Sequence, residues 1–193
     1  YIVKSVSEHA SAGLDSGAVV KGREAVLARW KASHARIDAR WFAEEYIDGR
    51  EFNIAMLEME DGPRVMPLAE MTFIDYPADK PRIIDSAAKW QTQSAEYKNT
   101  VRRFLDPKAE PDLAKNLTKA ARDTWTLLGL GGWVRVDMRV GADNQAYVID
   151  VNVNPDISMD AGMAAAAEMI GLSYVDLIRT IVDAGLRRGS GRA

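Results

Sequence analysis

The sequence has no cysteine, which excludes disulfides and thiolate metal sites. His9 and His34 are its only histidines. That scarcity removes most histidine-based zinc sites and the Ser-His-Asp type of nucleophilic centre. No run approaches the ~18 consecutive apolar residues that span a bilayer, and no segment has the form of a secretory signal peptide. Charge of one sign is also missing. Lys and Arg total 25 against 28 Asp and Glu, a net charge of −3. That balance gives no electrostatic footprint for nucleic acid.

What remains is ordinary in amount. The chain has 193 residues, 47% of them apolar and 27% charged, the usual mixture for a soluble globular protein of one domain or two small lobes. Tyr1-Ile2-Val3-Lys4 reads as a strand from the first residue, which predicts that the sequence is part of a longer protein.

Residues 5–17 are small, polar and glycine-bearing and read as a loop. Residues 17–20 suggest a second short strand. A helix is expected over 23–36, with Val26, Leu27 and Trp30 on one side. Residues 41–47 read as a strand that breaks at Asp48-Gly49 and resumes from Glu51 to Glu58. Asp61-Gly62-Pro63 is a turn, and 69–75 and 82–85 read as further strands. Leu113, Leu117, Ala120, Ala121, Thr124, Leu127 and Leu128 recur at helical spacing, with Gly129 as the stop. Trp133 to Val140 alternates strictly, and 147–153 is the return strand. Two closing helices are expected over 159–170 and 173–187. Strands and helices mix with hairpin-like links, so the fold class is α+β built on antiparallel sheets.

The sharpest chemistry lies in the hairpin 133–153. With Asp143-Asn144 as a two-residue turn, Asp137 lies opposite Asp150 and Arg135 opposite Asn152, all on one sheet face. Two carboxylates and an amide oxygen on strands ~4.8 Å apart suit a hard divalent cation. So close a pair of carboxylates needs positive charge between them, from Arg135 or a metal. A solvated strand face with unrelated charges is the plainer reading. Lys4 ends a strand before a Ser, Ala and Gly loop whose backbone N–H groups can cradle phosphate, although the loop lacks the P-loop pattern. Glu44 to Glu51 is either a surface hairpin or a hinge whose backbone pairs with a purine edge while Glu51 accepts ribose hydroxyls. Lys89 follows Ser86-Ala87-Ala88 in what reads as a loop.

These pieces stand in the order found in ATP-grasp enzymes, and the chain is most similar to the branch containing D-alanine–D-alanine ligase. The resemblance rests on Ile2-Val3-Lys4 with residues 8–13, on Glu44-Glu45-Tyr46-Ile47 through Glu51, on Asp85 to Lys89, on Arg135-Val136-Asp137 and on Asp150-Val151-Asn152. It implies an ATP-grasp fold of two lobes with antiparallel sheets and packed helices, truncated at the N-terminus. Residues 1–50 would form part of the small nucleotide-binding lobe and 51–193 the large lobe.

The resemblance also implies roles. Lys4 and Lys89 would contact ATP phosphates and Ser11 would close over them. Glu44, Glu45 and the Ile47 backbone would hold adenine, and Glu51 the ribose. Asp137, Asp150 and Asn152 would hold Mg²⁺, with Mn²⁺ as a substitute, and Arg135 would stabilise charge on the reacting carboxylate. The implied activity is ATP- and Mg-dependent joining of a carboxylate to an amine through an acylphosphate. The implied partners are those two small-molecule substrates and an N-terminal domain of the same protein, without nucleic acid or membrane. A homodimer is compatible with it, and a cytoplasmic location is the default. This part alone is expected to be inactive as a ligase. Asp150 stands where the family usually has glutamate. Asn154-Pro155-Asp156 replaces a common Ser-Pro-Gly, and Ala10 and Trp90 replace a serine and a tyrosine. The substrate pair therefore stays open. The alternatives are an ATP-grasp ligase forming a different C–N bond, and an ATP-binding module without catalysis.

Overall fold

The structure is a computed structural model that describes residues 1–7 and 13–190. Its strands are β1 (Ile2–Ser5), β2 (Trp41–Glu44), β3 (Arg50–Met59), β4 (Gly62–Val65), β5 (Ala69–Phe73), β6 (Thr100–Phe104), β7 (Trp133–Val140) and β8 (Ala146–Asn152). Its helices are α1 (Arg23–Arg36), α2 (Ser86–Trp90), α3 (Ala95–Asn99), α4 (Pro111–Leu127), α5 (Gly162–Glu168) and α6 (Tyr174–Ser190). The antiparallel α+β reading holds. Two compact units are present: Tyr1–Asp48 with Thr72–Val101, and Gly49–Met71 with Arg102–Ala193. Residues 72–101 thus group with the first unit, whereas the division expected from sequence was a single cut after residue 50.

In the first unit β1 pairs antiparallel with β2, setting Lys4 opposite Phe42 and Ile2 opposite Glu44. Ile2, Ala18 and Ile83 form its small core, with Leu14, Val19 and Tyr46 packed against them. The strand expected over 17–20 is instead a short 3-10 turn over Ser16–Ala18, because the Asp15 side chain caps the Gly17 N–H. Val19 keeps a single bridge to Ile2. Residues 82–85 are extended but join no ladder. Asp85 is the N-cap of α2, its carboxylate accepting from the Ala88 N–H at 2.8 Å, which is what Asp before a small-residue helix does best. Lys89 therefore lies on a short helix, not in a loop. Strand β6 and helix α3 lie in a stretch left unassigned from sequence. Of the α1 residues read as sharing one side, Leu27 and Trp30 are exposed and Val26 is half-buried, and Ser33 is the buried residue of the helix.

The second unit is organised by a six-stranded sheet in the order β6-β5-β3-β7-β8, with β4 also on β3. Strand β3 is central. One edge pairs with β5 through Glu51 to Asn53 and with β4 through Met56 to Met59, and the other pairs with β7 along eight residues. By the two-residue period, Phe52, Ile54 and Met56 share a face with Val134, Val136, Met138 and Val140. That face packs on Leu113, Leu117, Ala121 and Trp125 of α4. The opposite face is apolar at one end, where Ala55, Leu57 and Trp133 meet Met163 and Ala167 of α5 and Leu177 and Ile181 of α6. Its other end carries Glu51, Asp137 and Arg139, all buried. The solvated strand face considered from sequence therefore does not hold at Asp137, although Asp150 is exposed.

Helix α4 begins with Pro111 at its first turn, where a missing N–H costs nothing. It stops at Gly129, whose φ of 59° supplies the left-handed C′ residue. Its inward stripe differs at the end from the expected one. Trp125 is buried, whereas Leu127 is 85% exposed and Leu128 also faces out.

The β7–β8 link is longer than the expected two-residue turn. Val140 pairs with Ala146, Arg139 with Tyr147 and Met138 with Val148, and then the register shifts so that Asp137 pairs with Asp150 and Arg135 with Asn152. The loop displaces β8 by one residue, and the bulge at Ile149 takes the displacement back. The expected pairs form, but by two compensating irregularities.

Two details fix β3. The Arg50 guanidinium donates to both Glu70 oxygens at 2.8 and 2.7 Å and to both Glu110 oxygens at 2.6 and 3.1 Å. That fork ties β3 to β5 and to the start of α4. The Arg50 hydrogen bonds hold the Glu110 carboxyl below its ordinary value. Gly49 has φ 154°, and a Cβ there would lie 2.0 Å from the Val140 carbonyl oxygen.

Gly49→Ala is therefore expected to destabilise the chain by roughly 1–3 kcal/mol or more, read from the urea midpoint; an unchanged midpoint would contradict the close approach. Since the folded value of Glu110 is depressed, its contribution is present above the unfolded value of about 4.3 and is lost as pH falls through the folded one. The difference in urea midpoint between wild type and Glu110→Gln should be constant at neutral pH and shrink on acidification below about 4. A difference independent of pH would refute the pairing.

Candidate functional site

In the first unit β1 carries Lys4, whose Nζ lies 2.5 Å from the Glu44 carboxylate on β2. The cross-strand register explains this, since Lys4 pairs with Phe42, one pleat from Glu44 on the same face. The strand read over 41–47 ends at Glu44, and residues 45–48 run on outside any ladder. Glu45 is exposed there and Ile47 half-buried.

Ser11, with Glu8, His9 and Ala10, lies outside the described residues. The described end of that loop is pinned. Asp15 accepts from Arg29 at 3.0 Å, from Arg36 at 3.2 Å and from the Gly17 N–H at 2.9 Å, and Arg29 also donates to the Gly13 carbonyl. Burial alone would raise the Asp15 carboxyl, but Arg29, then Arg36 and the Gly17 N–H, hold it below the usual range. The Leu14 carbonyl accepts from the Ser86 N–H at 3.1 Å. Leu14, at the described end of the loop, is thereby fastened to the helix that bears Lys89. Lys89 is half-buried, its Nζ 5.7 Å from the centre of the exposed Trp90 ring.

In the second unit Arg135, Asp137, Asp150 and Asn152 share the face that the hairpin register predicts. Arg135 grips Asp137 through two parallel bonds, Nε to one oxygen and a terminal nitrogen to the other, each 2.7 Å. Asp137 is 7% exposed. Burial opposes the charge on Arg135, yet the Asp137 carboxylate, followed by Asp150 and Glu51, raises its value above the ordinary one. Asp150 is exposed and accepts from the Val151 N–H at 2.9 Å. Asn152 is half-buried, and its side-chain oxygen accepts from the Asn154 N–H at 3.2 Å. Asp156 is tied locally. The Ser158 hydroxyl and N–H bond one of its oxygens at 2.6 and 2.8 Å and hold it below the usual carboxylate range.

The donor set fits a small hard cation. Asp137, Asp150 and Asn152 offer only oxygens, and a carboxylate oxygen that takes one hydrogen bond keeps a further lone pair. Among the described residues no cluster of three acids or histidines is placed to hold a metal ion; here the acids number two, Asp137 and Asp150, with the Asn152 amide beside them.

Glu51 is not at the surface. It pairs with Arg139 in the ladder, and the Arg139 guanidinium donates to it at 2.9 Å and to the Gly49 carbonyl at 2.9 Å. The strict alternation over 133–140 sets Arg139 on the face of Arg135 and Asp137, but the sequence alone gives it no partner. Asn53, directly opposite Asp137 on β3, was missed altogether. Only the β3–β7 pairing, across more than 80 residues of sequence, brings either into view.

Residues 1–183 match the family model described as D-ala D-ala ligase C-terminus. The D-alanine–D-alanine ligase of Carboxydothermus hydrogenoformans is 31% identical over 151 residues, covering 78% of this chain and 44% of the relative. That of Stutzerimonas stutzeri is 30% identical over 189 residues, covering 98% and 54%. The chain thus spans about half the length of the curated relatives it matches. Among solved structures, the D-alanine–D-alanine ligase of Bacillus anthracis complexed with ATP superposes with a TM-score of 0.72 at 20% identity, covering all of this chain and 54% of the other. The VanG D-Ala:D-Ser ligase of Enterococcus faecalis gives 0.69 at 20% identity, with 95% and 48% covered. With its antiparallel sheets and packed helices in the ATP-grasp arrangement, the chain belongs to the D-alanine–D-alanine ligase C-terminal family.

Proposed function

We propose that this chain is the ATP-binding part of an ATP- and Mg²⁺-dependent ligase that joins a carboxylate to an amine, of the D-alanine–D-alanine ligase type. The observation that carries the reading is the β7–β8 register, which aligns Asp137 with Asp150 and Arg135 with Asn152 on one face. The unit of residues 1–48 and 72–101 would supply most of a small nucleotide-binding lobe, and that of 49–71 and 102–193 the large one.

The residues divide the work by chemistry. Lys4 and Lys89 are cations for phosphate oxygens, with Ser11 closing over them. Glu44, Glu45 and the Ile47 backbone are donors and acceptors for adenine, and Glu51 is an acceptor for ribose hydroxyls. Asp137, Asp150 and Asn152 would hold Mg²⁺ ions, which when bound neutralise charge on phosphate oxygens.

Phosphoryl transfer asks little covalent work of the protein, so placement and charge stabilisation carry the rate. A substrate carboxylate oxygen attacks the γ-phosphorus, the bond to the β,γ-bridging oxygen breaks, and ADP leaves. The amine then adds to the acyl carbon, phosphate departs with the bonding electrons, and the amine loses a proton. Arg135, held flat by Asp137, would stabilise negative charge on the carboxylate and on the tetrahedral species that follows. No nucleophilic side chain is required, in keeping with a chain that has no cysteine.

Calorimetry of this chain with ATP should show saturable binding that Mg²⁺ strengthens. Asp137→Asn and Asn152→Ala should each weaken the Mg²⁺-dependent component at least tenfold, by analogy with the roughly 10–100-fold losses seen even for outer-shell changes. Binding in the presence of a chelator should be unaffected. Equal affinity of wild type and both variants with Mg²⁺ would remove the metal assignment.

A further inference from the structure

Arg139 is almost completely enclosed, 4% exposed, and its partner Glu51 is 6% exposed. A buried ion pair carries a large desolvation cost, so its geometry has to be satisfied closely. Arg139 meets that demand with a fork. One terminal nitrogen reaches the Glu51 carboxylate at 2.9 Å and the other the Gly49 carbonyl at 2.9 Å. The two acceptors flank Arg50, which the Glu70 and Glu110 carboxylates hold on the opposite side of the strand. The start of β3 is thus clamped from both faces. Gly49 allows it, because no side chain fits against the Val140 carbonyl. The register keeps Arg139 and Glu51 opposite one another on neighbouring strands.

A lysine could supply the charge but not the fork. With a guanidinium there, the carboxylate of Glu51 is held in one orientation, and hydrogen bonds from hydroxyls to a carboxylate are about twice as strong as those to a neutral acceptor. We propose that Arg139 is a positioning residue for nucleotide recognition: by clamping Glu51 and the Gly49 carbonyl, it presents the Glu51 carboxylate to the ribose hydroxyls and thereby sets selectivity for a ribonucleotide. This rests on the ribose role proposed for Glu51. It adds a residue that itself touches no ligand.

The test compares Mg²⁺-ATP with Mg²⁺-2′,3′-dideoxy-ATP by calorimetry on the whole chain. A charge-assisted hydrogen bond to the sugar should make wild type prefer ATP by roughly tenfold or more. Arg139→Lys, which keeps Glu51 paired and is expected to fold, should cut that preference at least threefold while dideoxy-ATP binds nearly as before. Glu51→Gln should also cut it. In the Glu51→Gln background, Arg139→Lys should change it no further, the non-additivity expected of residues acting in series. A uniform loss of affinity for both nucleotides, an unchanged ratio in Arg139→Lys, or additive losses in the double variant would overturn the proposal by making Arg139 merely structural. A wild type that binds both nucleotides equally would overturn it as well. A wild type that binds neither would remove the nucleotide reading itself, and this inference with it.

Discussion

Strand β7 is paired on both edges, and the register on each edge decides which side chains can act together. On the β8 side the loop after Val140 leaves the strands one residue out of step, so that continuing the ladder from Met138 and Val148 would set Asp137 against Ile149 and turn Asp150 toward the apolar face with Val136. The bulge at Ile149 restores the step. It moves Asp150 and Asn152 to the face of Asp137 and Arg135 and leaves Val151 opposite Val136, where it packs against the core. One inserted residue thus separates a charged cluster from a carboxylate in a hydrophobic interior, a difference of several kcal/mol for an unpaired buried charge.

On the β3 side the ladder does a second job. The same strand face runs from Leu57 and Trp133, covered by α5 and α6, through Ala55 to Asn53, Glu51, Asp137 and Arg139. Its apolar end anchors the helices, and its charged end is buried only because the charges satisfy one another. Arg135 takes both oxygens of Asp137, and Arg139 takes Glu51 and a main-chain carbonyl. The pairs proposed to serve the nucleotide and the metal are the ones that let this end be buried. The helix α4 on the opposite face supplies the ordinary apolar core that makes such a polar arrangement tolerable.

Much of this was legible from local pattern. Strand β7 matches the strict alternation read over 133–140, helix α1 matches the residues 23–36, and α4 stops where Gly129 was read as its end. The candidate metal residues were legible too, since a hairpin brings near neighbours in sequence together. Less was legible where contacts are remote or a side chain competes with the backbone. Asp15 and Asp85 convert expected strands into caps. The burial of Glu51 depends on Arg139, which hairpin reasoning never places near it, and Trp30 and Leu27 of α1 join no buried cluster among the described residues. Periodicity reports that a face exists, not what covers it.

The central claim is that Asp137, Asp150 and Asn152 grip one divalent ion together with ATP. Paramagnetic broadening by Mn²⁺ in the presence of ATP tests it on the intact chain, through the backbone signals of Asp137 and Asp150 and the side-chain amide signal of Asn152. The account predicts that these three broaden first and together, and recover when Mg²⁺ is added in excess. Broadening centred elsewhere, with these three signals unchanged, would contradict it.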